Sequence, residues 1–414
     1  MAIGSIAVVG IAAFAAVAWQ PAIAPVARPD VDLTRSLIER GRAVVALGDC
    51  AVCHSPAGHR AFTGGLGLHT PFGVIYTTNI SPDPATGIGQ WSLAAFVRAM
   101  RKGVSRDGHL LYPAFPYIHY TKVTDDDLRA AYAFLMSQPA VQATAPDNEL
   151  PLPLRFRPAL AVWNLLYLDE GAVPAADGSA KARGRYLVDG LGHCSSCHTP
   201  LGIIGGEKQA EHLGGGDIEG WHAPALTELA WAPRPWTRQQ LSDYLSGSLA
   251  SDHGAAAGPM RPVTESLASV APADVAAMAE YILTLQRSVP VPTTAAIVPA
   301  STAQVNRGRA LFDGACAICH GPGSPMITHV GRPPLGLSSA LYGPSPRNAI
   351  MTIMQGIPWP DGPANTQYMP AFADVLTDEQ VTDVVAYLRS TVPGKPAWDD
   401  VEKRVAEARE ELPK

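Results

Sequence analysis

A pentapeptide occurs three times in this chain of 414 residues: Cys50-Ala51-Val52-Cys53-His54, Cys194-Ser195-Ser196-Cys197-His198 and Cys316-Ala317-Ile318-Cys319-His320, which together use all six cysteines. Two thiols separated by two residues on a helical turn can each add to a vinyl group of a porphyrin. The adjacent imidazole then becomes the proximal ligand of its iron. A structural zinc site would need four ligands, commonly from paired Cys-x-x-Cys units, and a thioredoxin-like site would need a single motif beside a βαβ pattern. Neither explains a histidine in the same place three times. The expectation is three covalently bound haem c groups, held by Cys50, Cys53, Cys194, Cys197, Cys316 and Cys319, with His54, His198 and His320 on iron.

Other features repeat in step with the motif. Arg-Gly-Arg stands at 40–42, 183–185 and 307–309, within a dozen residues of each motif. Each repeat ends in a helix-like segment with an acidic start and a tyrosine on an apolar stripe, at Asp125–Leu135 with Tyr132, Asp274–Leu285 with Tyr281, and Asp378–Leu388 with Tyr387. Ser92 after Trp91 and Thr237 after Trp236 read as helix N-caps, so a middle helix recurs in the first two repeats. The fold expected is mainly α, three tandem class I cytochrome c domains after a single N-terminal transmembrane helix.

Boundaries follow from composition. An N-terminal segment (1–30) precedes domain one (31–140). A Pro-rich linker (141–178) leads to domain two (179–288), and a second linker (289–304) leads to domain three (305–395). A charged tail (396–414) closes the chain. Residues 2–19 carry no charge and reach the lower limit of length for a spanning helix, with Trp19 where an interfacial aromatic would sit. A retained membrane anchor is expected there. The rival is a cleaved signal peptide, with Ala22-Ile23-Ala24 as its processing site but no basic residue ahead of the apolar run. Because haem is attached to reduced thiols outside the cytoplasm, the location expected is the cytoplasmic (inner) membrane with the haem domains in the periplasm. Within the first linker, Leu160–Leu168 is too short to span a bilayer and reads as a packing segment. Trp398–Glu411 mixes charge signs at helical spacing and reads as a solvated helix. A formal net charge of −6 without a long basic run speaks against a nucleic-acid partner.

The sixth iron ligands must lie downstream of each motif. Met369, in Tyr368-Met369-Pro370, is the candidate of domain three, and Met260, after Gly258-Pro259, that of domain two. Met278, Met326, Met351 and Met354 read as packing residues. Domain one has Phe115 at the corresponding place, which cannot ligate iron. His119 is the nearest capable donor and would make haem one a bis-histidine site; the alternatives are that His119 is a surface or hydrogen-bonded histidine, that His109 or Met100 serves instead, or that the iron is five-coordinate. An open sixth position would admit a peroxidase-like or gas-binding haem.

The run Thr77-Thr78-Asn79-Ile80-Ser81-Pro82-Asp83 through Gly87-Ile88-Gly89, with Arg106-Asp107-Gly108-His109 and Leu111-Tyr112-Pro113-Ala114, resembles the three-haem cytochrome c subunits of membrane-bound periplasmic dehydrogenases. Alcohol, gluconate and sorbitol dehydrogenase cytochromes typically carry Pro-Ala-Met-Pro-Tyr in domain one, where this chain has Pro-Ala-Phe-Pro-Tyr. Asn148-Glu149-Leu150-Pro151, Trp163-Asn164-Leu165-Leu166 and Gly190-Leu191-Gly192-His193-Cys194 are similar to cytochrome subunits paired with molybdenum hydroxylases, such as nicotinate, isoquinoline and aldehyde dehydrogenases. That resemblance implies a molybdopterin-containing catalytic subunit and a [2Fe–2S] subunit as partners, and ubiquinone or a terminal oxidase as acceptor. The alternative is a cytochrome serving a quinoprotein alcohol dehydrogenase or a flavin-dependent gluconate or sorbitol dehydrogenase. No nucleotide-binding fingerprint and no nucleophile constellation is evident in the sequence, so the chain is expected to move electrons and not to be catalytic by itself.

Overall fold

The computed structural model describes residue 14 and residues 18–171, 178–288, 301–358 and 367–412. It is mainly helical, with three short antiparallel strand pairs among the described residues. The chain divides into two compact units: residues 1–196 with 202–207 and 269–278, and residues 197–201 with 208–268 and 279–414.

In the first unit, helix Arg35–Leu47 starts at Thr34, whose hydroxyl accepts from Leu37 N, and helix Asp125–Met136 starts at Thr124 in the same way. Three aspartates in the first turn of the second helix face the positive end of its dipole. The two helices cross at Gly41, where a Cβ would stand 2.0 Å from the carbonyl oxygen of Ala130. Only glycine permits that approach. Directly before Gly41, Arg40 places Nη2 2.8 Å from Asp127 Oδ1. Asp127 also accepts from the Tyr186 hydroxyl at 2.7 Å. The middle helix, Leu93–Lys102, is capped by Ser92 and lays Phe96 against Tyr132, with ring centroids 5.6 Å apart.

The hairpin pairs Gly67–Thr70 with Gly73–Tyr76, and the following chain is stitched to this region: Glu149 N donates to the Val74 carbonyl at 2.8 Å and Asn79 Nδ2 to that of Val141 at 2.8 Å. Helix Leu160–Tyr167 packs through Ala161 and Trp163, while Leu165 and Leu166 stay exposed. Asn164 receives the Tyr117 hydroxyl at 2.6 Å. Further on, Arg183 makes a two-point pair with Asp274 at 2.8 and 3.0 Å.

The second unit repeats the crossing. Helix Thr302–Leu311 meets helix Asp378–Ser390 at Gly308, where a Cβ would stand 2.0 Å from the Asp383 carbonyl oxygen. Arg307 grips the Asp383 carboxylate at 2.7 and 2.8 Å. Thr377 and Gln380 form a reciprocal capping box, as do Thr237 and Gln240 on helix Arg238–Leu245. The core gathers Ile350, Met351, Met354, Val381 and Val385, all buried. Trp221, from the hairpin Gly216–Ile218 with Trp221–Ala223, joins it. Asn348 fixes that hairpin by accepting from His222 N and donating to His222 O, both at 2.8 Å.

Two expectations need correction. The membrane anchor is not supported: among the described residues no helix is long and apolar enough to cross a membrane, and all of 2–19 except Phe14, Ala18 and Trp19 lies outside them. From Trp19 to Thr34 the chain is non-helical and pinned by Ile23 N to Arg106 O at 2.8 Å and Val26 N to Gln90 O at 3.0 Å. The tail is also more than a solvated helix. Val401–Glu411 buries Val405 and Ala408, and Arg409 reaches Asp378 and the carbonyls of Ala373 and Leu376. Its alternating charges occupy the other faces, which is the pattern the sequence displays. Most of the second Pro-rich linker, at 289–300, falls outside the described residues.

Candidate haem-attachment sites

At the first motif, helix Arg35–Leu47 stops at Gly48, and Asp49 adopts the left-handed conformation (φ 53°). The chain then enters a single helical turn, Cys50–His54, which puts both thiols on one turn. His54 Nδ1 lies 2.6 Å from the Thr78 carbonyl oxygen. That contact makes Nδ1 the N–H donor and leaves the Nε2 lone pair for a metal. Burial holds His54 below its ordinary imidazole value, keeping it neutral as ligation requires. Burial, with Asp49 and Cys53 adding, pushes the Cys50 thiol up to about 12.

The second motif is built to the same plan. Its approach widens into a π-turn at Leu187–Leu191, a local form frequent at functional sites, and His193 is left-handed (φ 38°) just before Cys194. His198 Nδ1 lies 2.7 Å from the Pro224 carbonyl oxygen, so its Nε2 is freed in the same manner. A frame around the two histidines also recurs. Ser55 Oγ accepts from Phe62 N and Thr199 Oγ1 from Leu213 N, each at 2.9 Å. Gly64 N donates to His54 O and Gly215 N to His198 O. Phe62 and Leu213 both hold positive φ, at 64° and 54°. Sequence reading missed these residues; the Gly-Gly pairs that follow them, 64–65 and 214–215, were the available signal.

The third motif departs somewhat. A π-turn at Phe312–Cys316 runs directly into the turn Ala317–His320. Ser324 closes it by donating to the Cys319 carbonyl at 2.6 Å, and burial, helped by Arg332, lowers His320.

Met260 opens helix Met260–Leu267 and Met369 lies on a strand paired with Ile357; both are half-buried. Gly258, at φ 54°, lies so flat on Trp221 that a Cβ there would meet the indole at 2.4 Å, which fixes the loop ahead of Met260. Met278, Met351 and Met354 are core residues. His119, expected either on iron or as a hydrogen-bonded histidine, is buried. Its Nε2 lies 2.6 Å from Glu207 Oε1 and its Nδ1 3.3 Å from the Asp189 carbonyl oxygen, so both ring nitrogens face protein oxygens.

Paired thiols on one turn beside an imidazole with its outer nitrogen engaged are the donor set that haem c requires, so the residues fit the group. Known proteins agree. The cytochrome c family model matches residues 182–286 and 305–391. The gluconate 2-dehydrogenase cytochrome c subunit of Pantoea cypripedii is 35% identical over 383 residues, covering 86% of each chain. This chain belongs to the cytochrome c subunits of dehydrogenases. The alcohol dehydrogenase (quinone) cytochrome c subunit of Gluconobacter oxydans is 33% identical over 403 residues, 90% of this chain and 83% of that one. A nicotinate dehydrogenase subunit of Pseudomonas putida is 44% identical over 402 residues, 95% of this chain, which spans 34% of that relative's length. As a dehydrogenase cytochrome it binds haem c covalently and serves electron transfer rather than substrate chemistry.

Proposed function

We propose that this dehydrogenase cytochrome carries three haems c, one at each Cys-x-x-Cys-His, and relays electrons from a molybdopterin and [2Fe–2S] dehydrogenase that oxidises an aldehyde or an N-heterocycle to ubiquinone or a terminal oxidase. What supports three haems is the repetition of one frame: a crossing pair of helices tied by Arg40 to Asp127 and by Arg307 to Asp383, with the matching pair Arg183 to Asp274, each ahead of a motif. What supports the molybdenum-type partner is the 44% identity with a nicotinate dehydrogenase subunit over nearly the whole chain. A second reading, service to a quinoprotein or flavin dehydrogenase, draws on the 33% and 35% relatives.

In this reading bound haem iron supplies a one-electron ferric/ferrous couple. The protein does the rest. Cys50, Cys53, Cys194, Cys197, Cys316 and Cys319 would anchor the porphyrins, and His54, His198 and His320 would ligate iron, with the Thr78 and Pro224 carbonyls orienting the first two. Met260 and Met369 would complete the ligation of haems two and three. Purifying the complex from its native host and identifying the chains that accompany this one tests the partner: a molybdopterin subunit supports the main reading, and a quinoprotein or flavoprotein subunit overturns it in favour of the second.

A further inference from the structure

The two carbonyls that face proximal histidines are themselves held from a distance, and in the same way. Thr78, whose oxygen lies 2.6 Å from His54 Nδ1, comes two residues after Tyr76, the last residue of strand Gly73–Tyr76. Pro224, whose oxygen lies 2.7 Å from His198 Nδ1, comes two residues after His222 of strand Trp221–Ala223. In both places the amide two residues ahead of the carbonyl is taken by an asparagine side chain. Tyr76 N donates to Asn148 Oδ1 and His222 N to Asn348 Oδ1, both at 2.8 Å.

Neither asparagine comes from the stretch around the motif it serves. Asn148 stands 72 residues beyond Tyr76, in the chain that follows helix Asp125–Met136, and Asn348 stands 126 residues beyond His222, on helix Arg347–Gln355 after the third motif. Each is anchored in turn. Beside Asn148, Glu149 exchanges two backbone hydrogen bonds with Val74, at 2.8 and 3.1 Å, and its carboxylate accepts the Tyr76 hydroxyl at 2.8 Å. Asn348 donates back to the His222 carbonyl at 2.8 Å and is followed by buried Ala349, Ile350 and Met351. Only two peptide units separate each clamped amide from the carbonyl that receives the histidine, so the position of one sets that of the other.

A carbonyl held at hydrogen-bonding distance from Nδ1–H fixes the ring and raises the basicity of the opposite nitrogen. A more basic ligand favours ferric iron and lowers the potential. Resting on the haem reading above, we infer that Asn148 and Asn348 are positioning residues for haems one and two. Each holds the carbonyl on which His54 or His198 is set, so a later stretch of chain tunes the haem bound by an earlier one. The Asn148-Glu149-Leu150-Pro151 run thereby acts as a clamp on the first site, and the helix carrying Asn348 as a clamp on the second.

The test is a redox titration of the full chain carrying its haems, with each potential assigned by its disappearance when both cysteines of one motif are replaced by serine. Leucine is close to asparagine in size but can neither accept nor donate a hydrogen bond. In Asn148→Leu the potential of haem one should rise and the other two stay in place. In Asn348→Leu that of haem two alone should rise, although the substitution lies beyond the third motif. Asn148→Ala and Asn348→Ala, which bring no bulk, should shift the same potentials in the same direction and carry the test if a leucine variant does not fold. A potential that is unmoved or lowered at the haem paired with the substituted asparagine overturns the inference, and so do three potentials moving together. The mass of the wild-type chain separates the layers: absence of haem at the first two motifs overturns the haem reading and this inference with it, whereas full haem with unmoved potentials overturns the inference alone.

Discussion

Glu207 closes over His119 at 2.6 Å, from a position 88 residues further along the chain, and both side chains are almost wholly removed from solvent. Removing one member of such a pair leaves the other charge buried without compensation. His119→Ala should therefore cost about 3–5 kcal/mol in urea unfolding. Its visible spectrum should keep the spin states of the wild-type chain at every haem, which an iron-ligating His119 would not allow.

The helix crossings offer a second test. A Cβ at Gly41 or Gly308 would fall 2.0 Å from a backbone oxygen of the facing helix, so the helices must part. Overpacking of this kind costs roughly 1–3 kcal/mol or more. Gly308→Ala should lower the midpoint of thermal unfolding more than alanine at exposed Gly323, and equal midpoints for the two variants would contradict the crossing.

His193 links stability to pH. Burial, reinforced by the charge of His119, lowers it to about 4 from an ordinary value near 6.5. Above about pH 6.5 it is neutral whether the chain is folded or not, so it contributes no slope. As pH falls from about 6.5 to 4 the unfolded chain takes up the proton first, and stability drops by about 3 kcal/mol in total. His193→Gln should flatten that part of the stability profile measured by denaturant unfolding at each pH.

Much of this arrangement is legible in the sequence for one reason: spacing within a helical turn is a local property. The motifs and the Arg-Gly-Arg signature survive inspection because their meaning needs no distant partner, and the terminal helices follow from caps and apolar stripes. His119 shows where this stops. Its distance from Phe115 suggested iron, but its partner Glu207 is 88 residues away, and nothing local announces a long-range pair. Phe62 and Leu213 hold left-handed backbone that their side-chain types ordinarily avoid, so propensity argues against the conformation that tertiary hydrogen bonds to Ser55 and Thr199 impose. The tail helix was misjudged because two small buried positions, Val405 and Ala408, make a weak stripe among charges.

Methionine ligation raises haem potential relative to histidine. Met260→His and Met369→His should each lower one midpoint potential while leaving every thioether bond in place. A redox titration identical to wild type would remove that residue from the iron.

The account depends most on covalent haem at three places. Intact mass spectrometry of the denatured chain measures it directly. The expected mass exceeds that of the bare polypeptide by three haems and falls by one haem when both cysteines of any single motif are replaced by serine. A chain at the mass of the bare polypeptide, or one short by a haem before any substitution, would contradict it.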